Sequence, residues 1–191
     1  IYYKRSIDGG SNWGADTRLT NADGVSGFPK VAVSGQVVHV VWYESRDNNE
    51  EIYYKQSTDG LTSCGTDMRL TNNPALSYAP SISVSGSIVH VVWGDTRDLN
   101  NEIYYKQSID GGTNCGADMR LTNNPAASFA PSISVSGLIV HIVWYDTRDG
   151  NSEVYYKQST DIGVSWGADT RLTNNTSNSE LPFVAVSGKV V

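Results

Sequence analysis

Short runs of apolar residues, bounded by glycine, proline or polar turns, follow one another along the whole chain. Ser81 to Ser85 alternates small polar with apolar residues, which is the period-two pattern of a strand. The β-branched run from Ile88 to Trp93 predicts a strand buried on both faces, and Glu102 to Lys106 predicts a third strand. Met119 to Thr122 predicts a fourth. The pattern indicates an all-β unit of four strands, with little room for helix.

The same unit recurs at a fixed spacing of 51 residues. Trp42, Trp93 and Trp144 are each 51 residues apart, and residues 51–101 differ from residues 102–152 at only 11 positions. No insertion or deletion interrupts the period. Four short strands in a repeat of about 50 residues are typical of a β-propeller blade. The sequence therefore predicts a β-propeller of four-stranded antiparallel blades, with about four blades present.

The repeat divides residues 1–191, treated as one propeller domain, at the residue before each opening proline. This gives a half blade (1–27), three whole blades (28–78, 79–129 and 130–180) and the start of a further blade (181–191). The chain is 13 residues short of four full repeats. Two alternatives stay open. Either residues 1–21 pair with residues 181–191 to close a ring, or the chain is part of a larger ring of about six to eight blades.

The net charge of the chain argues against two classes of binding partner. The formal net charge is −6 and the isoelectric point is about 4.9. Nucleic acids and anionic membranes select for basic surfaces, so neither is expected as the main partner. No apolar run approaches the ~18–20 residues of a membrane helix, and no membrane insertion is predicted.

Cysteines and histidines recur with the repeat and are expected to be structural. Cys64 and Cys115 occupy equivalent sites on adjacent blades, farther apart than the ~4.4–6.8 Å between Cα atoms that a disulfide allows. Free thiols are therefore expected in the space that tryptophan fills in the other copies. The three histidines, His39, His90 and His141, lie mid-strand in separate blades, where core packing is expected and shared metal ligation is not.

A polar turn between the third and fourth strands is the sharpest motif. It reads SIDGGSNW, STDGLTSC, SIDGGTNC and STDIGVSW in the four copies. The turn resembles the Asp-box, or BNR repeat, of sialidase-type propellers, Ser-x-Asp-x-Gly-x-x-Trp. Leu61 replaces the glycine in the second copy, and Cys64 and Cys115 replace the tryptophan. The matching residues are Ser6, Asp8, Gly10, Trp13, Ser57, Asp59, Ser108, Asp110, Gly112, Ser159, Asp161, Gly163 and Trp166.

The physics of this turn favours a structural role for its aspartates. An aspartate in a turn accepts hydrogen bonds from backbone N–H groups of its own turn, and glycine permits a positive φ. The resemblance places the box at the propeller edge, away from the catalytic face, with its aromatic residue anchoring the hairpin to the blade. We therefore predict that the box aspartates stabilise turns and are not catalytic acids.

The resemblance also implies what a sialidase would need. Sialidases hold the substrate carboxylate with three arginines, the first in a Phe-Arg-Ile-Pro motif, and add a tyrosine nucleophile assisted by glutamate and an aspartate acid/base. Here Phe28-Pro29-Lys30 and Leu181-Pro182-Phe183 stand at the start of the first strand without the arginine. Almost every charged residue recurs in equivalent positions, whereas a glycosidase site is one asymmetric pair of carboxylates. No catalytic residue is predicted.

The loops between the second and third strands are the candidate ligand-binding surface. They share a face with the blade-to-blade connections and carry carboxylates, amides and nearby aromatic residues, which suit carbohydrate hydroxyls. Two other interpretations stay open: structural ion pairs, and Ca²⁺ binding, although no EF-hand spacing is present. No metal or cofactor is predicted. The candidate residues are Glu44, Arg46, Asp47, Asp95, Arg97, Asp98, Asp146, Arg148 and Asp149.

Together these features favour a non-catalytic binding module, secreted or at the cell surface, with a glycan or protein ligand. Blade symmetry, the polar rim and the missing arginine motif support this interpretation, with glycans as the preferred ligand. Two alternatives remain: a fragment of a sialidase-like glycoside hydrolase, and a structural or protein-interaction scaffold.

Overall fold

The computed structural model describes residues 1–188 together with residues 190 and 191. Their secondary structure is entirely β. Across these residues the search for a helix both long and apolar enough to cross a membrane finds none. The strands, labelled β1 to β14 in chain order, are Tyr2–Tyr3, Thr17–Arg18, Ser26–Ser34, Val37–Glu44, Glu51–Ser57, Met68–Arg69, Ser77–Ser85, Ile88–Asp95, Glu102–Ser108, Met119–Arg120, Ser128–Ser136, Ile139–Asp146, Glu153–Ser159 and Thr170–Arg171.

The strands form three four-stranded sheets and one two-stranded sheet in the described residues. Blade 1 is β3 to β6, blade 2 is β7 to β10, and blade 3 is β11 to β14; β1 and β2 form the N-terminal half blade. Neighbouring strands are antiparallel and follow chain order. The register repeats too: Trp42 lies opposite Tyr53, and Trp93 lies opposite Tyr104. The predicted all-β unit of four antiparallel strands is confirmed.

The hydrophobic core lies between successive blades. The second strand of each blade is buried on both faces, as its continuous β-branched pattern predicts. Trp93 is fully buried and stacks on Tyr104 with ring centroids 6.0 Å apart. One core cluster joins Val41 and Tyr54 of blade 1 to Ile82 and Trp93 of blade 2. Each blade is therefore held by its neighbours, as in other repeat folds.

The first strands are longer than predicted. The alternating pattern places the start at Ser81, but β7 begins at Ser77, so the predicted boundary is wrong by four residues. The pairing with β8 is interrupted between Tyr78 and Ser81 by a bulge, where Ala79 has a φ of 48°. Pro80 has no N–H to donate, so the ladder breaks at the proline and resumes on either side of it.

The two ends of the array differ in what covers them. Val31 of β3 is 62% exposed, whereas the equivalent Ile82 of β7 is 7% exposed because blade 1 packs against it. At the other end, the Val184 N–H donates to Ser132 Oγ (3.2 Å), as the Ile133 N–H does to Ser81 Oγ (3.3 Å). In the described residues β1 pairs only with β2, so the pairing of residues 1–21 with 181–191 that a closed ring would need is not formed.

Candidate functional site

A network of buried charges lies where β8 turns into β9. Asp95 ends β8, is fully buried, and accepts hydrogen bonds from Trp93 Nε1 (2.9 Å), Ser77 Oγ (2.9 Å) and Arg97 Nη2 (2.7 Å). Arg97 donates a further bond to Asp118 (2.7 Å). Burial alone would raise the pKa of Asp95, but the hydrogen bonds from Arg97 and Trp93 hold it below its usual value. The buried carboxylate is therefore charged and fully compensated.

A second group of charges continues the network along the same loop. The Arg97 guanidinium lies 4.3 Å from the centroid of the Tyr104 ring, a cation–π contact. The Tyr104 hydroxyl donates to Asp98 Oδ2 (2.5 Å). Arg120 pairs with both Asp98 (3.2 Å) and Glu102 (2.7 Å). The loop carboxylates are thus each held by an arginine or a hydroxyl.

An asparagine ties this loop to the connection between blades. Asn100 Nδ2 lies 3.0 Å from Glu102 Oε1, 3.0 Å from the Asn124 carbonyl and 2.8 Å from the Ala126 carbonyl. Asn124 and Ala126 belong to the segment that leads from blade 2 into blade 3. The loop and the blade-to-blade connection therefore share one face, as the sequence pattern predicts.

The network repeats in blades 1 and 3 and contains all nine candidate ligand-binding residues. Glu44, Asp95 and Asp146 are fully buried. The side chains of Asp47, Asp98 and Asp149 are 30%, 26% and 26% exposed and line the outer part of the rim. Their contact with a ligand stays a prediction. The predicted residues do not include the six acidic partners that complete the network, although all six recur at the 51-residue spacing; they are Asp67, Asp118, Asp169, Glu51, Glu102 and Glu153.

A cavity of about 200 Å³ lies where the first strands of successive blades converge. Each of the four units contributes the residues around its opening proline, from the stretches 28–30, 79–81, 130–132 and 181–183. The pairing of Ser77 with Asp95 places these stretches at the same end of the blades as the charged rim. We call this cavity the axial pocket.

The backbone around the axial pocket is strained in every copy. Phe28, Ala79, Ala130 and Leu181 have φ values of 50°, 48°, 47° and 54°. Each precedes a proline, which ordinarily pushes the preceding residue toward extended conformations. A left-handed conformation without glycine costs about 1–3 kcal/mol and persists only where the surrounding structure imposes it. Repetition of this outlier around one cavity points to the axial pocket as the candidate site.

The axial pocket is also where the repeats lose their symmetry. Phe28 is 65% exposed and Phe183 is 81% exposed, whereas alanine and serine stand at the equivalent positions of blades 2 and 3. Lys30 supplies the cation among the residues that line the pocket. No carboxylate is among the described lining residues. In the sequence these segments stand out only because they lack arginine, since their convergence at one cavity depends on the fold.

The Asp-box turns lie at the opposite end of the blades. Asp110 Oδ1 accepts hydrogen bonds from the Asn114 N–H (2.9 Å) and from Ser108 Oγ (2.7 Å), and the Gly112 N–H donates to Ser108 Oγ (2.9 Å). The backbone bond from Asn114 and the bond from Ser108 lower the pKa of Asp110 to about 2. The pKa values of Asp8 and Asp161 are lowered alike. Such carboxylates are ionised at neutral pH and hold the turn together.

Each Asp-box turn packs on the blade that precedes it in the chain. Trp166 meets the Tyr105 ring edge-on, with centroids 5.1 Å apart, whereas Trp13 is 62% exposed. Cys115 packs against the cluster that contains Tyr54, in the position that Trp166 occupies against Tyr105. The aromatic residue therefore anchors its hairpin to the neighbouring blade. Both cysteines are free thiols, as predicted.

Buried histidine–tyrosine pairs join the second and third strands. His90 Nδ1 lies 2.7 Å from the Tyr105 hydroxyl, and His90 Nε2 is buried without a partner in the described structure. Burial lowers the pKa of His90 to about 4. A protonated ring would place a second N–H donor where the described residues provide no acceptor. His90 is therefore neutral in the folded protein.

The lowered pKa of His90 predicts that the folded protein becomes less stable in acid. The pKa of His90 in the folded protein is below the ordinary value of 6.5, so folding favours the neutral ring. The stabilisation that depends on the neutral ring is fully present above pH 6.5 and is lost as the pH falls toward 4. The free energy of unfolding decreases by about 3 kcal/mol over this range. We expect His90→Gln to reduce the slope of unfolding free energy against pH in this window. Urea denaturation at several pH values measures the slope, and an unchanged slope would contradict the prediction.

The described residues contain no group of three or more histidine, cysteine, aspartate or glutamate side chains placed to hold a metal ion. In the rim, the carboxylates that the sequence analysis considered for Ca²⁺ face arginine side chains.

Comparison with known proteins finds relatives by structure only. No family model matches the chain, and no curated protein matches it in sequence. The GH93 α-L-arabinofuranosidase of Fusarium graminearum, solved with arabinobiose, superposes with a TM-score of 0.65 at 14% identity, over 93% of this chain and 59% of that chain. The Penicillium chrysogenum α-L-arabinanase complexed with arabinobiose gives 0.61 at 13% identity, over 93% and 60% of the two chains.

A sialidase is similar as well. The Trypanosoma rangeli sialidase in complex with 2,3-difluorosialic acid superposes with a TM-score of 0.57 at 13% identity, over 78% of this chain and 30% of that chain. The chain spans less than two thirds of the length of each of these three proteins. At such identities the likeness concerns the fold alone, and it supports the assignment of this all-β chain to the β-propeller architecture.

Proposed function

We propose that this propeller binds a glycan in the axial pocket and does not hydrolyse it. The observation that carries the proposal is the lining of the pocket: two exposed phenylalanines, a lysine and neutral small residues. Aromatic faces stack on the apolar faces of sugar rings, and a lysine donates to hydroxyl or carboxylate oxygens. Glycosidases instead require two carboxylates beside the scissile bond.

The charged rim has a supporting role in this proposal. Glu44, Asp95 and Asp146 are buried beneath the face and bound by arginines, so they fix the loops around the axial pocket. Asp47, Asp98 and Asp149 are partly exposed and supply outlying contacts to the longer chains of a glycan. This arrangement suits a secreted or cell-surface protein that recognises an oligosaccharide.

A hydrolytic function is the second candidate, and the structural neighbours favour it. The similar proteins include an arabinofuranosidase, an arabinanase and a sialidase. Under this alternative, carboxylates would have to reach a sugar bound at the axial pocket. The two candidates therefore differ in whether arabino-oligosaccharides or sialosides are released as smaller products when incubated with the protein.

A glycan array that includes arabinan fragments and sialosides tests the proposal. We expect binding without product release, and Phe28→Ala or Phe183→Ala should weaken it about tenfold or more, since burying a phenylalanine against a ligand contributes roughly 1.5–3 kcal/mol. Calorimetric titration of the best array ligand measures the loss.

Ile7→Ala is the matched control, because Ile7 is 88% exposed in an Asp-box turn at the opposite end of the blades. It should leave the affinity unchanged. A protein that binds no glycan on the array, or that binds equally well after both phenylalanine substitutions, does not use the axial pocket in this way. Steady release of product would show that the protein hydrolyses the glycan and would overturn the proposal that it only binds it.

A further inference from the structure

The grooves between successive blades at the Asp-box end carry different side chains although their backbones are equivalent. The groove between blades 1 and 2 is a cavity of about 370 Å³. Its lining includes His39, Gln56, Thr58, Ser87 and Thr113. His39 and Gln56 lie in the second and third strands of blade 1, Thr58 directly follows the third strand, and Ser87 and Thr113 lie in two turns of blade 2. We call this cavity the interblade groove.

The equivalent positions between blades 2 and 3 carry bulky apolar residues. Ile109 stands in place of Thr58, Leu138 in place of Ser87, and Val164 in place of Thr113. In addition, Ile162 stands in place of Gly111. Four of the differences between successive repeats therefore fall on one small surface.

The groove next to the N-terminal half blade belongs to a cavity of about 820 Å³ and carries different side chains again. Arg5 stands in place of Gln56, and its Nη1 donates to the Gly60 carbonyl (2.5 Å) and lies 3.3 Å from Thr62 Oγ1. Arg5 thus brings a positive charge to the position at which the interblade groove has the neutral Gln56. Among the three equivalent sites in the described residues, the one between blades 1 and 2 carries small, neutral polar side chains at all three variable positions, Thr58, Ser87 and Thr113.

Hydrogen-bonding groups in the interblade groove are neutral apart from one carboxylate. The His39 ring is held through Nδ1 by the Tyr54 hydroxyl (2.7 Å), and burial lowers the pKa of His39, which keeps it neutral. The Tyr54 hydroxyl also lies 3.3 Å from Gln56 Oε1, which directs the other end of that amide toward different partners. Asp110 is ionised, since the pKa of its carboxyl is lowered to about 2.

We propose that the interblade groove is a second binding site, for a neutral monosaccharide or a polyol of similar size. The groove offers an amide, three hydroxyl side chains and a neutral imidazole, which together donate and accept hydrogen bonds. The hydroxyls of a sugar or polyol also donate and accept hydrogen bonds, so they match these groups. The carboxylate of Asp110 disfavours anionic sugars. A volume of about 370 Å³ lies at the lower end of the range of roughly 300–1,000 Å³ for small-molecule sites, which suits one sugar ring.

Amide NMR titrations of the whole chain with D-glucose, D-galactose and D-glucuronate test this site. The neutral sugars should shift the Gln56 side-chain amide and the Gly111 backbone amide at millimolar concentration, and glucuronate should bind about tenfold more weakly or not at all. The triple variant Thr58→Ile, Ser87→Leu, Thr113→Val should abolish these shifts. It installs residues that the next groove already carries, so the fold tolerates them.

The reverse exchange is the matched control. Ile109→Thr, Leu138→Ser and Val164→Thr should open the groove between blades 2 and 3 and add sugar-dependent shifts at Gln107. Shifts that survive the filling variant, or no shifts with either neutral sugar, overturn the proposal. Phe28→Ala separates this site from the axial pocket: it should leave the groove shifts intact whether or not the axial pocket binds glycans.

Discussion

Replacing Asp95 by alanine is expected to lower the free energy of unfolding by about 3–5 kcal/mol, because it leaves a buried charge network without its central carboxylate. Arg97 would keep only Asp118 as an ionic partner, and Trp93 Nε1 would lose its acceptor. An unsatisfied buried donor adds the cost of removing it from water. Urea denaturation of the variant and the parent protein measures the difference.

Asp16→Ala is the control for this substitution. Asp16 also forms an ion pair, with Lys4 at 3.3 Å, but the two side chains are 67% and 51% exposed. Exposed pairs contribute about 0–1 kcal/mol, so little loss is expected. Asp95→Glu should retain much of the stability, since Glu44 fills this position in blade 1 and accepts from Trp42 Nε1 (2.7 Å) and Arg46 (2.6 Å). Equal losses for Asp95→Ala and Asp16→Ala would contradict the expected role of burial.

A second large effect is expected at Gly112. Its φ is +90°, and a Cβ there would overlap the Tyr54 hydroxyl and lie 2.7 Å from Tyr54 Cζ. Tyr54 is 2% exposed and bonded to His39, so it has little room to move. Gly112→Ala should therefore combine backbone strain of roughly 1–2 kcal/mol with an overpacking cost of about 1–3 kcal/mol. Chemical denaturation gives the total.

Gly10 isolates the overpacking contribution. It occupies the same position in the first Asp-box turn with the same φ of +90°, but a Cβ there would meet nothing within 4 Å. Gly10→Ala should cost only the backbone strain. Tyr54→Phe combined with Gly112→Ala should recover part of the loss, which a double-mutant cycle quantifies. If Gly10→Ala and Gly112→Ala lower the free energy of unfolding equally, the close packing of Gly112 on Tyr54 makes no contribution to the loss of stability.

The architecture could be predicted from the sequence because the pattern repeats without a slip. Trp42, Trp93 and Trp144 fix the period, and the runs around them have the composition of strands buried on both faces. The alternating pattern covers only Ser81 to Ser85, so it predicts the start of the first strand four residues too late. Pro80 lies within β7, since the bulge beside it absorbs the missing hydrogen bond.

The sites were harder to predict because both depend on contacts between distant segments. Arg97 is visible in its loop, but Asp118 reaches it from 21 residues away, through the pairing of β9 with β10. Phe28 and Phe183 belong to different repeats and meet at one cavity only because the array curves. A local pattern carries no information about that curvature.

The exact repetition of register also has a consequence for the folding of the chain. Trp93 of β8 pairs with Tyr104 of β9, and Trp42 pairs with Tyr53 through the same hydrogen-bond pattern. A strand that emerges from the ribosome can therefore satisfy the same ladder with the equivalent strand of another repeat, one full period out of place. Swapped intermediates of this kind are characteristic of repeat proteins and delay their maturation. The positions at which the repeats differ would disfavour such exchanges, so sequence divergence between copies would favour correct assembly of the array.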